Sequence, residues 1–166
     1  DECSLAGIVR AWEAARETGV HLVVGSEFAL VDGPRCVLLV EDPAGYTHLC
    51  ALITRARRAA EKGEYRLARA DVEASARAGL LALWLPPPLP ALATAAADAS
   101  LAWLAGQFPA RTWIAVELHH AVDDEARLAR LDELAAAHGL PQVAAGDVHM
   151  HVRRRKALQD VLAATR

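Results

Sequence analysis

The sequence predicts an α/β fold, a largely parallel sheet or barrel with helices outside. Short apolar runs alternate with segments of helical periodicity along the whole chain, the pattern that strand–helix–strand units produce. Gly, Pro or Asp bounds most of these runs. A chain of 166 residues with 54% hydrophobic and 23% charged residues falls within the range of one globular domain, burying roughly two-thirds of its unfolded surface.

Residues 5–18 carry Leu5, Ile8, Val9, Trp12 and Ala15 at helical spacing, and Gly19 ends the run. "VHLVVGSEFAL" (20–30) and 34–40, ending in "CVLLV", read as buried strands. Helical spacing returns over 45–62, with Leu49, Leu52 and Ile53 on one side and Arg55, Arg57 and Arg58 on or near the other. A short helix over 71–78 takes Asp71 as its N-cap and Gly79 as its stop. "GLLALWLP" (79–86) is a further buried strand, with Trp84 inside it, and "PPPLP" a rigid extended connector. Next come an alanine-rich helix over 91–108, the strand "TWIAVEL" (112–118) with Trp113 in the core, and a helix over 124–138 closed by Gly139. The strand "LPQVAAGDVHMH" (140–151) and a helix from Lys156 onward complete the chain.

A net charge of -3 gives no whole-chain footprint for nucleic acid, so any such contact is local. Cys3, Cys36 and Cys50 are odd in number and lack a C-x-x-C pair, which argues against a disulfide framework or a zinc ribbon and fits a reduced, cytoplasmic setting. No run of 18 or more apolar residues appears, so no membrane partner is expected.

Acidic and histidine residues gather where strands end, which is where parallel α/β folds build their sites. Glu27 lies late in its strand. Glu117, His119 and His120 close "TWIAVELHH", and Asp1 and Glu2 precede the first helix. In "GDVHMH", an extended backbone would put Asp147, His149 and His151 on one face. Carboxylates and imidazoles from several strand ends are the donor set of multinuclear zinc, manganese or iron sites, whose chemistry is phosphoester hydrolysis. The plain alternatives are a loop carboxylate at Glu27 and a solvated side chain at one of the adjacent His119 and His120. His21, His48 and His138 read as structural or exposed.

"DECSLAG", "GSEF", "GYTHLCALITRARRAAEKGEY", "GLLAL" and above all "AAGDVHMHVRRRKALQD" closely resemble the PHP (polymerase and histidinol phosphatase) domain of bacterial error-prone DNA polymerases of the C family, relatives of the polymerase III alpha subunit. The resemblance covers essentially the whole chain. It implies an irregular (β/α)7 barrel, here without the N-terminal strand, with residues 1–155 as an N-terminally incomplete PHP domain and 156–166 as the start of a connection towards a polymerase domain. Metal-bearing members open the first strand with H-x-H, which has no counterpart in this chain.

By the same resemblance Asp1, Glu27, Asp147 and His149 match ligand positions. Glu2 stands where active members carry a histidine, Arg35 or Cys36 stands near another histidine position, and His119 or His120 lies near a further ligand. His151 marks the error-prone branch. A carboxylate can replace an imidazole on manganese or zinc, but a guanidinium has no free lone pair and stays cationic. The expectation is therefore a degenerate site with Zn2+ or Mn2+ weakly held or absent, and with Mg2+ serving the polymerase domain. The implied role is mainly structural, in a polymerase acting in translesion synthesis and damage-induced mutagenesis. Its partners would be DNA through the parent polymerase, the polymerase domain in cis, mutagenesis accessory proteins and the sliding clamp. The competing reading is an active metal-dependent phosphoesterase, either a 3'-5' exonuclease or a phosphatase. Arg153, Arg154, Arg155 and Lys156 can touch a phosphate backbone or the polymerase body, or be a solvated helix start.

Overall fold

The computed structural model describes residues 1–165; the last residue of the expected connection, Arg166, lies outside the described residues. Five strands, β1 (Gly25–Ala29), β2 (Arg35–Val40), β3 (Leu80–Leu85), β4 (Thr112–Val116) and β5 (Gln142–Ala144), form one sheet in the order β1-β2-β3-β4-β5. The helices are α1 (Ile8–Thr18), α2 (Pro43–Arg58), α3 (Arg69–Glu73), α4 (Leu89–Leu92), α5 (Ala95–Gln107), α6 (Asp124–His138) and α7 (Lys156–Ala164).

The α/β class holds, but the sheet is mixed. β1–β2 and β2–β3 pair antiparallel, whereas β3–β4 and β4–β5 pair parallel. A four-residue turn after Leu30 is too short for a crossover, so β2 must return beside β1 as a hairpin. β2 is thus the one reversed strand, and its first residue lies at the same end of the sheet as the last residues of the others. Residues 1–3 add a short parallel bridge on the outer edge of β1: Cys3 N–H donates to Glu27 O (2.8 Å) and Glu27 N–H to Asp1 O (3.0 Å).

Local chemistry fixes the helix ends. Asp42 caps α2 by accepting from Gly45 N–H (2.8 Å), Pro43 supplies the pre-set first turn, and Arg55, Arg57 and Arg58 complement the dipole at its end. Gly45 must be glycine: a Cβ there would lie 1.8 Å from Gly79 O. α6 carries Asp124 and Glu125 in its first turn and ends at Gly139 in the left-handed region, φ 62°. Asp71 does not serve as an N-cap; it sits inside α3, and its carboxylate accepts from Ala68 N–H (2.9 Å), the backbone group before the helix. The proline run is extended only to Pro88, because the next residues wind into α4.

Alternation along the strands sorts the two sheet faces. Phe28, Cys36, Trp84 and Ile114 form one cross-sheet row, and all are buried with Leu49, Leu52, Leu101, Leu104, Leu131 and Leu134 from the helices. Glu27, Val37, Leu83 and Trp113 form the neighbouring row on the opposite face, which is only half-buried. Trp113 is accordingly not a core residue: its side chain falls on the alternate face, where no helix covers it. The expected strand over 140–151 shortens to β5, and "GDVHMH" is irregular, with Asp147 at φ 40°.

Candidate functional site

The C-terminal ends of β1, β3, β4 and β5 and the start of β2 enclose a cleft of about 490 Å³. Glu27, Arg35, Glu117 and Asp147 supply its charged lining, while Leu85, the proline run and the start of α5 supply its apolar wall. Trp84, fully buried, forms part of the lining and donates from its indole nitrogen to Ser100 Oγ (3.2 Å). Arg127 on α6 fixes the wall by donating to Pro87 O (2.7 Å) and Pro86 O (3.0 Å).

Glu27 accepts from Arg35 at two guanidinium nitrogens, Nε at 3.0 Å and Nη2. The pairing follows from register. Glu27 faces Val37 across the hairpin, so Arg35, two residues along β2, is its diagonal neighbour on the same face. The carboxylate raises the guanidinium pKa further. Glu117 is held above the ordinary carboxylate range, first by burial and then by Asp147, with His119 and Arg127 opposing the shift. Asp147 occupies the left-handed region, which aspartate tolerates better than most residues.

The residues at the chain start belong to a neighbouring network rather than to the cleft lining. Glu2 accepts from the Tyr65 hydroxyl, which itself accepts from Ala29 N–H (2.8 Å). Burial, then the bond to Glu2, pushes the phenol pKa to about 12. Arg57 donates to Cys3 O (3.0 Å), Glu2 O (3.1 Å), Gly63 O (3.1 Å) and Glu64 O (3.2 Å), with its guanidinium 5.4 Å from the Tyr65 ring centroid. Asp1 is exposed and joins through its backbone carbonyl, which accepts from Glu27 N–H and from Ser26 Oγ (3.0 Å).

The structure thus brings Glu27, Glu117 and Asp147 to one cleft and leaves the histidines outside it. His119, His120, His149 and His151 are all exposed. His149 Nδ1 lies 2.7 Å from the carbonyl oxygen of Asp147 and 3.8 Å from its carboxylate. Because the backbone of 146–151 is irregular, Asp147, His149 and His151 do not share a strand face. Among the described residues no group of three or more His, Cys, Asp or Glu side chains is placed to hold a metal ion. With Glu27 tied to Arg35 and Glu2 to Tyr65, these side chains as arranged do not fit a multinuclear metal centre. Arg153, Arg154 and Arg155 form an exposed 3-10 turn leading into α7, where Lys156 pairs with Asp160 (2.7 Å).

Two contributors escape the strand-end rule. Arg127 reaches the cleft wall from a helix, and no periodicity marks it. Arg35 carries a signal in hindsight: a strand that opens on a cation immediately after a Gly-Pro turn, eight residues beyond Glu27.

No helix among the described residues is long and apolar enough to cross a membrane. No protein-family model matches the chain. Over its whole length the chain is 57% identical to the error-prone DNA polymerase of Pseudomonas aeruginosa and 58% identical to that of Pseudomonas fluorescens. Over an alignment of 169 residues it is 55% identical to that of Xanthomonas oryzae pv. oryzae. The chain spans 15% of the length of each of these relatives. Identity at that level across every element rules out chance likeness of one motif, and the chain belongs to the error-prone DNA polymerases as a counterpart of their N-terminal region.

Proposed function

We propose that the chain is a PHP-type domain that serves an error-prone polymerase as a structural module in translesion synthesis, with a cleft that no longer hydrolyses phosphoesters. The whole-chain identity to error-prone DNA polymerases carries the reading. The half-buried second sheet face supports the PHP assignment. Val37, Leu39, Leu81, Leu83 and Leu85 line it, apolar as the inside of a barrel is, and carboxylates collect at the strand ends beside it. The Glu27–Arg35 pair supports the loss of hydrolysis, because a cation that cannot ligate stands in the cleft.

In this role DNA is met through the polymerase, the polymerase domain packs in cis, and Arg153, Arg154, Arg155 and Lys156 offer cations to that body or to a phosphate backbone. The test is elemental analysis of the purified chain for zinc, manganese and iron, beside an Asp147→Ala/His149→Ala variant and an assay for 3'-5' cleavage of labelled DNA with Mn2+. Substoichiometric metal and no cleavage in either protein are expected. Near-stoichiometric metal in the wild type, lost with cleavage in the variant, would establish the phosphoesterase instead.

A further inference from the structure

We propose that Arg35 is the built-in cation of the cleft, its guanidinium doing for Glu27, Glu117 and Asp147 what a divalent ion would do, so that the cleft keeps its shape without metal. The inference rests on the reading of the cleft as a degenerate PHP-type site. Three carboxylates and one guanidinium make up the charged lining. Three carboxylates converging on one cleft repel each other, and their mutual repulsion has to be relieved by a positive charge or by protonation. Arg35 supplies that charge from a strand, not a loop, so hairpin register holds it in place. Two of its N–H groups engage Glu27, and among the described residues its remaining donors have no protein partner. They are the groups available to water and to the other carboxylates of the cleft.

A divalent ion entering beside a guanidinium meets a like charge and a group without a lone pair. Removing Arg35 inverts the situation: an oxygen-only set with uncompensated charge is what hard cations such as Mn2+ select. Arg35→Lys keeps the charge and should keep the indifference to metal.

Thermal melts of the 166-residue protein in EDTA and in saturating Mn2+, with Mn2+ binding counted from the free-ion EPR signal, separate the possibilities. The wild type and Arg35→Lys should shift by less than about 1 °C between the two media. Arg35→Ala should melt lower in EDTA, then bind about one Mn2+ and recover by about 5 °C or more. Glu27→Gln/Arg35→Ala should lose that response, since the carboxylate that called for a cation is gone. An Arg35→Ala protein that is indifferent to Mn2+, or does not fold in either medium, overturns the proposal while leaving the degenerate-site reading intact. So does an Arg35→Lys protein that needs Mn2+. A wild type that binds and is stabilised by Mn2+ sinks both.

Discussion

Replacing Arg57 by alanine tests whether the residues at the chain start are part of the fold or merely lie against it. The side chain donates to four backbone carbonyls, two in residues 2–3 and two in residues 63–64, and lies over the Tyr65 ring. A hydrogen bond from a charged donor contributes about 1.5–3 kcal/mol where water cannot replace it. Only the bond to Cys3 O is part-buried; the other three are exposed and count for little after hydration. Adding about 0.5–1 kcal/mol for the cation–π contact gives a loss of about 2–3 kcal/mol, or about 5–10 °C in Tm. Urea denaturation measures the total. Amide exchange locates it, because the bridge that Arg57 supports protects Cys3 N–H and Glu27 N–H. Both amides should exchange faster in Arg57→Ala and in Arg57→Lys, since an ammonium cannot fan across four acceptors. A loss below about 0.5 kcal/mol with both amides still protected would refute the reasoning.

Two further outcomes are expected. Trp84 is fully buried whereas Trp113 is half-buried outside the core cluster, so Trp84→Ala should cost about 3–5 kcal/mol and Trp113→Ala about 1–2 kcal/mol in urea melts; equal costs would contradict the assignment of faces. Glu117 has a raised pKa in the fold, so its contribution is most favourable below the unfolded carboxylate range and is lost as pH rises through the folded value. Glu117→Gln should therefore be at least as stable as the wild type at pH 7 and lose that advantage towards pH 4; an advantage that grows on acidification would contradict it.

The helices were legible because their signals are local. Asp42-Pro43 before α2, the charged first turn and Gly139 around α6, and the spacing of Ile8, Trp12 and Ala15 in α1 each stand within one or two turns of sequence. Strand direction was not legible. β2 and β3 look alike as apolar runs, and only the short turn between β1 and β2 forces the reversal. The cleft was read in part. Glu27, Glu117 and Asp147 could be placed from strand ends, but the extension of β5 into "GDVHMH" failed, because alternating side chains do not make a strand without a partner edge to bond. Trp113 was misplaced for a related reason: in a run such as "TWIAV", apolar on both phases, sequence cannot choose the inner face.

The β1–β2 hairpin has a consequence for the order of assembly. Its residues are close in sequence, and Glu27 and Arg35 are separated by only eight positions. Hairpins close on a timescale of about 1–10 μs, whereas parallel pairs wait for their crossover helices to be laid down. The Glu27–Arg35 pair can therefore form with the first local contacts of the chain, while Glu117 and Asp147 arrive only when β4 and β5 dock. The cleft is thus charge-matched at its earliest wall before its later walls exist, so assembly need not wait for an ion to be captured from solution.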